Sequence, residues 1–153
     1  MTAAVADTHA ALYYLYRNPR LSPAARTFMD DAARVGHDIA LSPISLAEIV
    51  YLVEKDRLPQ SAYRDLKAAL ADPYYVIEEA PFTSGVVEAL RQVPRADVPD
   101  MPDRIVAATA VYLGVPVISR DGRIRSSTIR TIWSSPCDAS EPDAWASAQC
   151  QGH

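Results

Sequence analysis

The sequence predicts an α/β protein: a short parallel sheet of four to five strands, flanked by helices in three layers. Two observations carry this. Short apolar segments alternate with helical segments of about ten residues along most of the chain, the order produced when crossover helices join parallel strands. Those short segments are apolar throughout instead of alternating with polar residues, as strands are when both sheet faces are covered.

The elements follow in order. Residues 3–6 (AAVA) read as a buried strand ending at Asp7. A helix follows with Leu12, Leu15 and Tyr16 on one face, broken by Asn18-Pro19. Ser22-Pro23 can cap and start a second helix, roughly 23–35, closed by Gly36. Ile39-Ala40-Leu41 is the second strand. Ser42-Pro43 repeats the cap-and-proline start for a helix to about Lys55. The next helix spans roughly 60–71 and stops at Asp72-Pro73. Tyr75-Val76-Ile77 reads as the third strand, and a helix near 83–91 follows. The stretch VPRADVPDMPD is a loop with three prolines. Residues 103–113 form an alanine-rich helix stopped by Gly114. Val115–Ser119 is the fourth strand, before Asp121-Gly122, and Thr131-Ile132-Trp133 adds a fifth. From Ser134 the chain turns small and polar, so residues 1–133 are expected as one domain and 134–153 as a flexible tail.

Composition narrows the function. A length of 153 residues suits one domain, and 49% apolar residues suffice for its core. No apolar run is long enough to span a membrane, and the N-terminus lacks the pattern of a signal peptide, so a cytoplasmic protein is expected. Cys137 and Cys150 both lie in the tail and read as free thiols. A net charge of −4 argues against binding nucleic acid by bulk attraction, but leaves room for an enzyme with a local basic patch. No glycine-rich nucleotide loop, H-E-x-x-H, C-x-x-C or G-x-S-x-G can be written. Common zinc sites and serine triads are thereby disfavoured.

A set of acids remains, placed where α/β proteins do chemistry. In open parallel sheets, ligands bind beyond the carboxyl ends of the strands. Asp7 follows the first strand and Asp121 the fourth. Asp103 opens the helix leading to the fourth strand, and Glu48 lies within the helix after the second. Each has an ordinary explanation as well. Asp7 suits a helix cap, Asp103 a helix N-terminus, and Asp121-Gly122 a turn. Ser45-Leu46-Ala47-Glu48 fits a capping box. Ser42-Pro43 is the better helix start, however, and it leaves Glu48 in the second turn without capping work. Taken together, like charges crowded at one sheet edge repel, and a divalent cation removes that cost. Oxygen ligands alone point to Mg2+ or Mn2+.

The segments VADTHAALYYL, LSPISLAEIVYL and MPDRIVAATAVYLGVPVISRDGRI together resemble the PIN-domain family, in particular the toxins of VapBC-type toxin–antitoxin systems. The most specific part is D-R-I-V-A-A-T-A followed by G-V-P-V-I-S-R-D, and the resemblance spans roughly residues 4–133. It implies a PIN-like α/β/α fold and a metal-dependent endoribonuclease. It also implies that Asp7, Glu48, Asp103 and Asp121 form the catalytic, metal-holding set, with an antitoxin and a homodimer as protein partners. Ser119 stands where the family often has threonine; either hydroxyl can orient Asp121.

Arg120, Arg123, Arg125 and Arg130 form the one dense basic stretch, beside Asp121. Arg120, Arg123 and Arg125 are read as gripping the RNA backbone, against the alternative of a solvated face. His9 reads first as an ordinary helix-start residue and second as a substrate contact. The first helix, with Leu12 and Tyr13 through Tyr16, has more apolar surface than one core stripe needs, which suggests a groove for a partner. The competing readings are a structure-specific DNA nuclease and a non-catalytic binding module on the same fold.

Overall fold

The structure is a computed structural model and describes residues 1–125, 127 and 129–134. Its sheet has five parallel strands: β1 (Thr2–Ala6), β2 (Asp38–Leu41), β3 (Ile77–Glu79), β4 (Val117–Ile118) and β5 (Thr131–Ile132). Their order is β3-β2-β1-β4-β5. The helices are α1 (Thr8–Leu15), α2 (Pro23–Val35), α3 (Pro43–Glu54), α4 (Gln60–Ala71), α5 (Ser84–Leu90), α6 (Met101–Leu113) and α7 (Gly122–Arg125).

This order explains the layers. The chain moves outward from β1 to β3, then returns to the other side of β1. Right-handed crossovers then put the helices before and after the return on opposite faces. The core divides accordingly. Ala4, Ala6, Ile39, Leu41 and Ile118 face a cluster that includes Leu12, Met29, Ile49 and Leu66 from α1 to α4. The intervening residues Val5, Ala40 and Val117 face a second cluster with Val86 of α5 and Val106 and Ala110 of α6. Period-two alternation along apolar strands feeds both cores, which is why the strand segments look uniformly hydrophobic.

The helix boundaries follow local chemistry. The Ser22 and Ser42 side chains accept hydrogen bonds from the Ala25 and Ile44 amides, with proline at the first helical position. Gly36 and Gly114 close α2 and α6 with φ of 78° and 69°, the left-handed conformation that glycine adopts without steric cost.

Four expectations need correction. The third strand is Ile77–Glu79, not 75–77, because these residues pair with Ile39, Ala40 and Leu41. The fourth strand shortens to Val117–Ile118. Helix α6 starts at Met101, two residues early, because Asp100 caps it and Pro102 sits in its first turn. The apolar surplus of α1 is largely used inside the molecule. Leu12 and Tyr13 are buried, and the Tyr14 and Tyr16 hydroxyls donate to Asp30 of α2 and Asp65 of α4. The helical turn α7 was not anticipated. Among the described residues no helix is long and apolar enough to cross a membrane. Cys137, Cys150 and residues 135–153 of the expected tail lie outside the described residues.

Candidate active site

The strand order reverses between β1 and β4, so a crevice opens beyond their carboxyl ends. Asp7 directly follows β1, and Ser119, Arg120 and Asp121 follow β4. Helix α3 leaves the carboxyl end of β2, the other neighbour of β1, and brings Glu48 in its second turn. Helix α6 runs back toward the amino end of β4, so its N-terminus, with Asp100 and Asp103, lies at the carboxyl edge.

Capping and clustering are not alternatives here; the caps fix the carboxylates. Asp7 accepts from the Ala10 amide at 2.8 Å. Asp100 accepts from the Asp103 amide at 3.1 Å. Asp121 accepts from the Arg123 and Ile124 amides at 2.9 and 3.2 Å. Ser42 caps α3, so Glu48 has no capping role. Ser45, its rival as cap, has a buried hydroxyl with no partner among the described residues.

Electrostatics show that the acids share one field. The Asp103 carboxyl is pushed up to about 7, first by burial and then by the negative charges of Asp100, Asp121, Glu48 and Asp7. Burial also raises Asp7. A Ser119 hydrogen bond, the Ala10 amide and nearby His9 pull it back, while Glu48 pushes it up. The other three expected acids thus act electrostatically on Asp103, but of the four only Glu48 and Asp103 fall in the group with ligand atoms within 4.8 Å of one another. Ser119 acts differently from its expected role. Its hydroxyl bonds the Asp7 carboxylate and accepts from the Asp121 amide at 3.0 Å, so it links two acids instead of orienting the Asp121 carboxylate.

One acid escaped the sequence reading. Among the described residues, carboxylate oxygens of Glu48, Asp100 and Asp103 lie within 4.8 Å of one another. Asp100 was hidden in a proline-rich stretch that reads as loop. The available signal was D-M-P-D, an aspartate followed by proline within a helical first turn. Mutually repelling, partly desolvated carboxylates with only oxygen donors fit a hard divalent cation.

The basic residues divide. Arg120 is exposed and lies over the Tyr13 ring, 5.6 Å from its centre. Arg123 is exposed, and the half-buried Arg125 donates to the Ser134 hydroxyl at 3.1 Å. Arg130 lines a cavity of about 350 Å3 with Ala110, Val111, Gly114 and Pro116. That cavity adjoins the amino end of β4, opposite to Asp121, and no acid lines it. Arg104, next to Asp103, turns away and donates to the Leu90 and Val93 carbonyls at the end of α5.

The PIN domain family model matches residues 4–127. Ribonuclease VapC22 of Mycobacterium tuberculosis is 30% identical over 128 residues, covering 82% of this chain and 92% of that protein. The crystal structure of VapBC2 from Rickettsia felis bound to a DNA fragment from its promoter is similar in fold. It superposes with a TM-score of 0.63 at 17% identity, covering 87% of this chain and all of that one. FitAcB from Neisseria gonorrhoeae gives a TM-score of 0.53 at 19% identity, covering 84% and 95%.

Proposed function

This chain belongs to the PIN-domain family, and from that premise we propose that it is a divalent-metal-dependent endoribonuclease, the toxin of a VapBC-type pair. The observation that carries the reading is the group of Glu48, Asp100 and Asp103 carboxylates within 4.8 Å of one another, with the Asp103 carboxyl raised by burial and then by the charges of Asp100, Asp121, Glu48 and Asp7. A fold tolerates such repulsion when a cation balances it. A curated ribonuclease relative over most of the chain supports RNA as the substrate.

Asp7, Asp103, Asp121 and Glu48 would hold Mg2+ or Mn2+, with Asp100 joining Glu48 and Asp103. When bound, the ion supplies a water of lowered pKa and positive charge opposite the phosphate oxygens. The chain's own residues do the rest. Ser119 and the helix caps fix Asp7 and Asp121 before substrate arrives, so their negative charge needs no reorganisation. Arg120, Arg123 and Arg125 hold the RNA backbone beside Asp121. An antitoxin as partner accords with the resemblance to VapBC complexes; a homodimer and a cytoplasmic location complete the proposal.

Purified chain, free of any antitoxin, is incubated with single-stranded RNA and with flap DNA, in Mg2+ or in EDTA. Cleavage of RNA in Mg2+ and its loss in EDTA are expected. Asp103→Asn should lower the rate by about 10²- to 10³-fold, the scale for removing one electrostatic group from a preorganised site. RNA cleavage that persists in EDTA defeats the metal mechanism. Preference for flap DNA supports the DNA-nuclease alternative, and no cleavage of either supports a binding module.

A further inference from the structure

Three residues beside the acids, His9, Tyr13 and Arg120, pack on one another. The exposed His9 ring packs on Tyr13, with centroids 6.0 Å apart and planes 28° from parallel. The Arg120 guanidinium lies 5.6 Å from the centre of the same Tyr13 ring. Tyr13 itself is only 8% exposed and is anchored in the α1 core. The stack draws on two elements. His9 comes two residues after Asp7, and Arg120 one residue before Asp121. The pairing of β1 with β4 brings these two chain segments together.

Among the described residues Arg120 makes no ion pair, although Asp121 follows it directly in the chain. Its charge rests on an aromatic face, which leaves the N–H edges of the guanidinium for an anion. His9 presents a flat π surface to solvent, held by ring packing. A cation for phosphate beside an aromatic surface for a base is the combination that binds single-stranded nucleic acid.

We infer that His9, Tyr13 and Arg120 form a nucleotide-binding subsite next to the scissile phosphate: Arg120 takes a backbone phosphate, and His9, supported by Tyr13, stacks on an adjacent unpaired base. This rests on the ribonuclease reading and adds the requirement that the base beside the cleavage point be unstacked from its neighbours. Substrates held in a duplex there are excluded. The subsite reads the π face of the base and so tolerates any of the four.

The test measures binding without turnover. Labelled single-stranded RNA of mixed sequence is titrated by fluorescence anisotropy, with Ca2+ replacing Mg2+. A matching strand lacking bases supplies the second arm. His9→Ala should weaken binding to intact RNA by about five- to a hundredfold, the range for losing one stacked base. It should leave binding to the base-free strand unchanged. His9→Phe, which keeps a ring, should restore affinity, and Arg120→Ala should weaken both arms. Thermal melting of His9→Ala should match the parent, because the ring is exposed.

Unchanged affinity of His9→Ala for intact RNA overturns the proposal, as does an equal loss in both arms or a failure of His9→Phe to restore binding. Cleavage by the parent chain, measured separately in Mg2+, keeps the two readings apart. RNA cleavage with an indifferent His9 sinks the stack alone, while a parent that binds through His9 but does not cut sinks the nuclease reading.

Discussion

The Asp103 carboxyl is raised by burial and by its acidic neighbours, and its proton has a measurable effect. Its carboxyl titrates at about 7 in the fold against 3.8 for the ordinary side chain. The folded chain therefore holds a proton that the unfolded chain has released. The resulting stability is full below about pH 4 and is lost as pH rises through about 7. In EDTA, the melting temperature should fall between about pH 4 and pH 7. Asp103→Asn should make that slope shallower, and Mn2+ in excess of the chelator should reverse it by replacing the proton. A melting profile in EDTA that is flat for the parent, or equally steep for Asp103→Asn, contradicts this assignment. Single residues also mark the limit of reading a site from sequence. Asp7, Glu48, Asp103 and Asp121 could be proposed from the sequence because each has a defined place relative to a strand or helix. Asp100 was not, because its place depends on where α6 begins. The cap that sets this start is Asp100 itself.

Elements were legible where punctuation was strong. Serine followed by proline opened α2 and α3 as expected, and glycine closed α2 and α6. Strand β3 was misplaced by two residues for a physical reason. It is an edge strand whose Glu78 and Glu79 face solvent, so two of its three residues look like loop. Tyr74 and Tyr75, better strand formers by type, lie before it in a turn. Pairing with β2 sets the boundary, and pairing is not visible in a local window. The glycine that closes α6 permits a clean prediction. A Cβ at Gly114 would meet no atom within 4 Å, so its φ of 69° is the only obstacle to alanine. Gly114→Ala should cost about 1 kcal/mol from the left-handed backbone. That corresponds to a melting temperature lower by about 3 °C for a domain of this size. Metal affinity at the far end of α6 should not change. A neutral or stabilising Gly114→Ala would mean that the helix ends in another conformation.

At the scale of the whole molecule, an acidic chain is expected to bind a polyanion. The net charge of −4 opposes approach, and under the proposed function attraction rests on a few arginines beside β4. RNA binding should therefore depend on salt more weakly than in a protein that coats its substrate with charge. Three phosphate contacts predict a slope of about −2 in a plot of log affinity against log salt for single strands. Arg120→Ala should make that slope shallower by about 0.7. A slope near that of a strongly basic protein, or one that Arg120→Ala leaves intact, would locate the contacts elsewhere. The three-layer plan was legible because alternating short strands and helices leave few arrangements. The pairing of β1 with β4 was not, since it joins segments more than a hundred residues apart. That pairing also affects how the protein is made. The strand bearing Asp7 is synthesised first, and the neighbour that supplies Ser119, Arg120 and Asp121 comes near the end of the domain. A nascent chain interrupted anywhere before β4 has the first acid and lacks its companions. A ribosome translating this message therefore releases no competent nuclease from an unfinished copy.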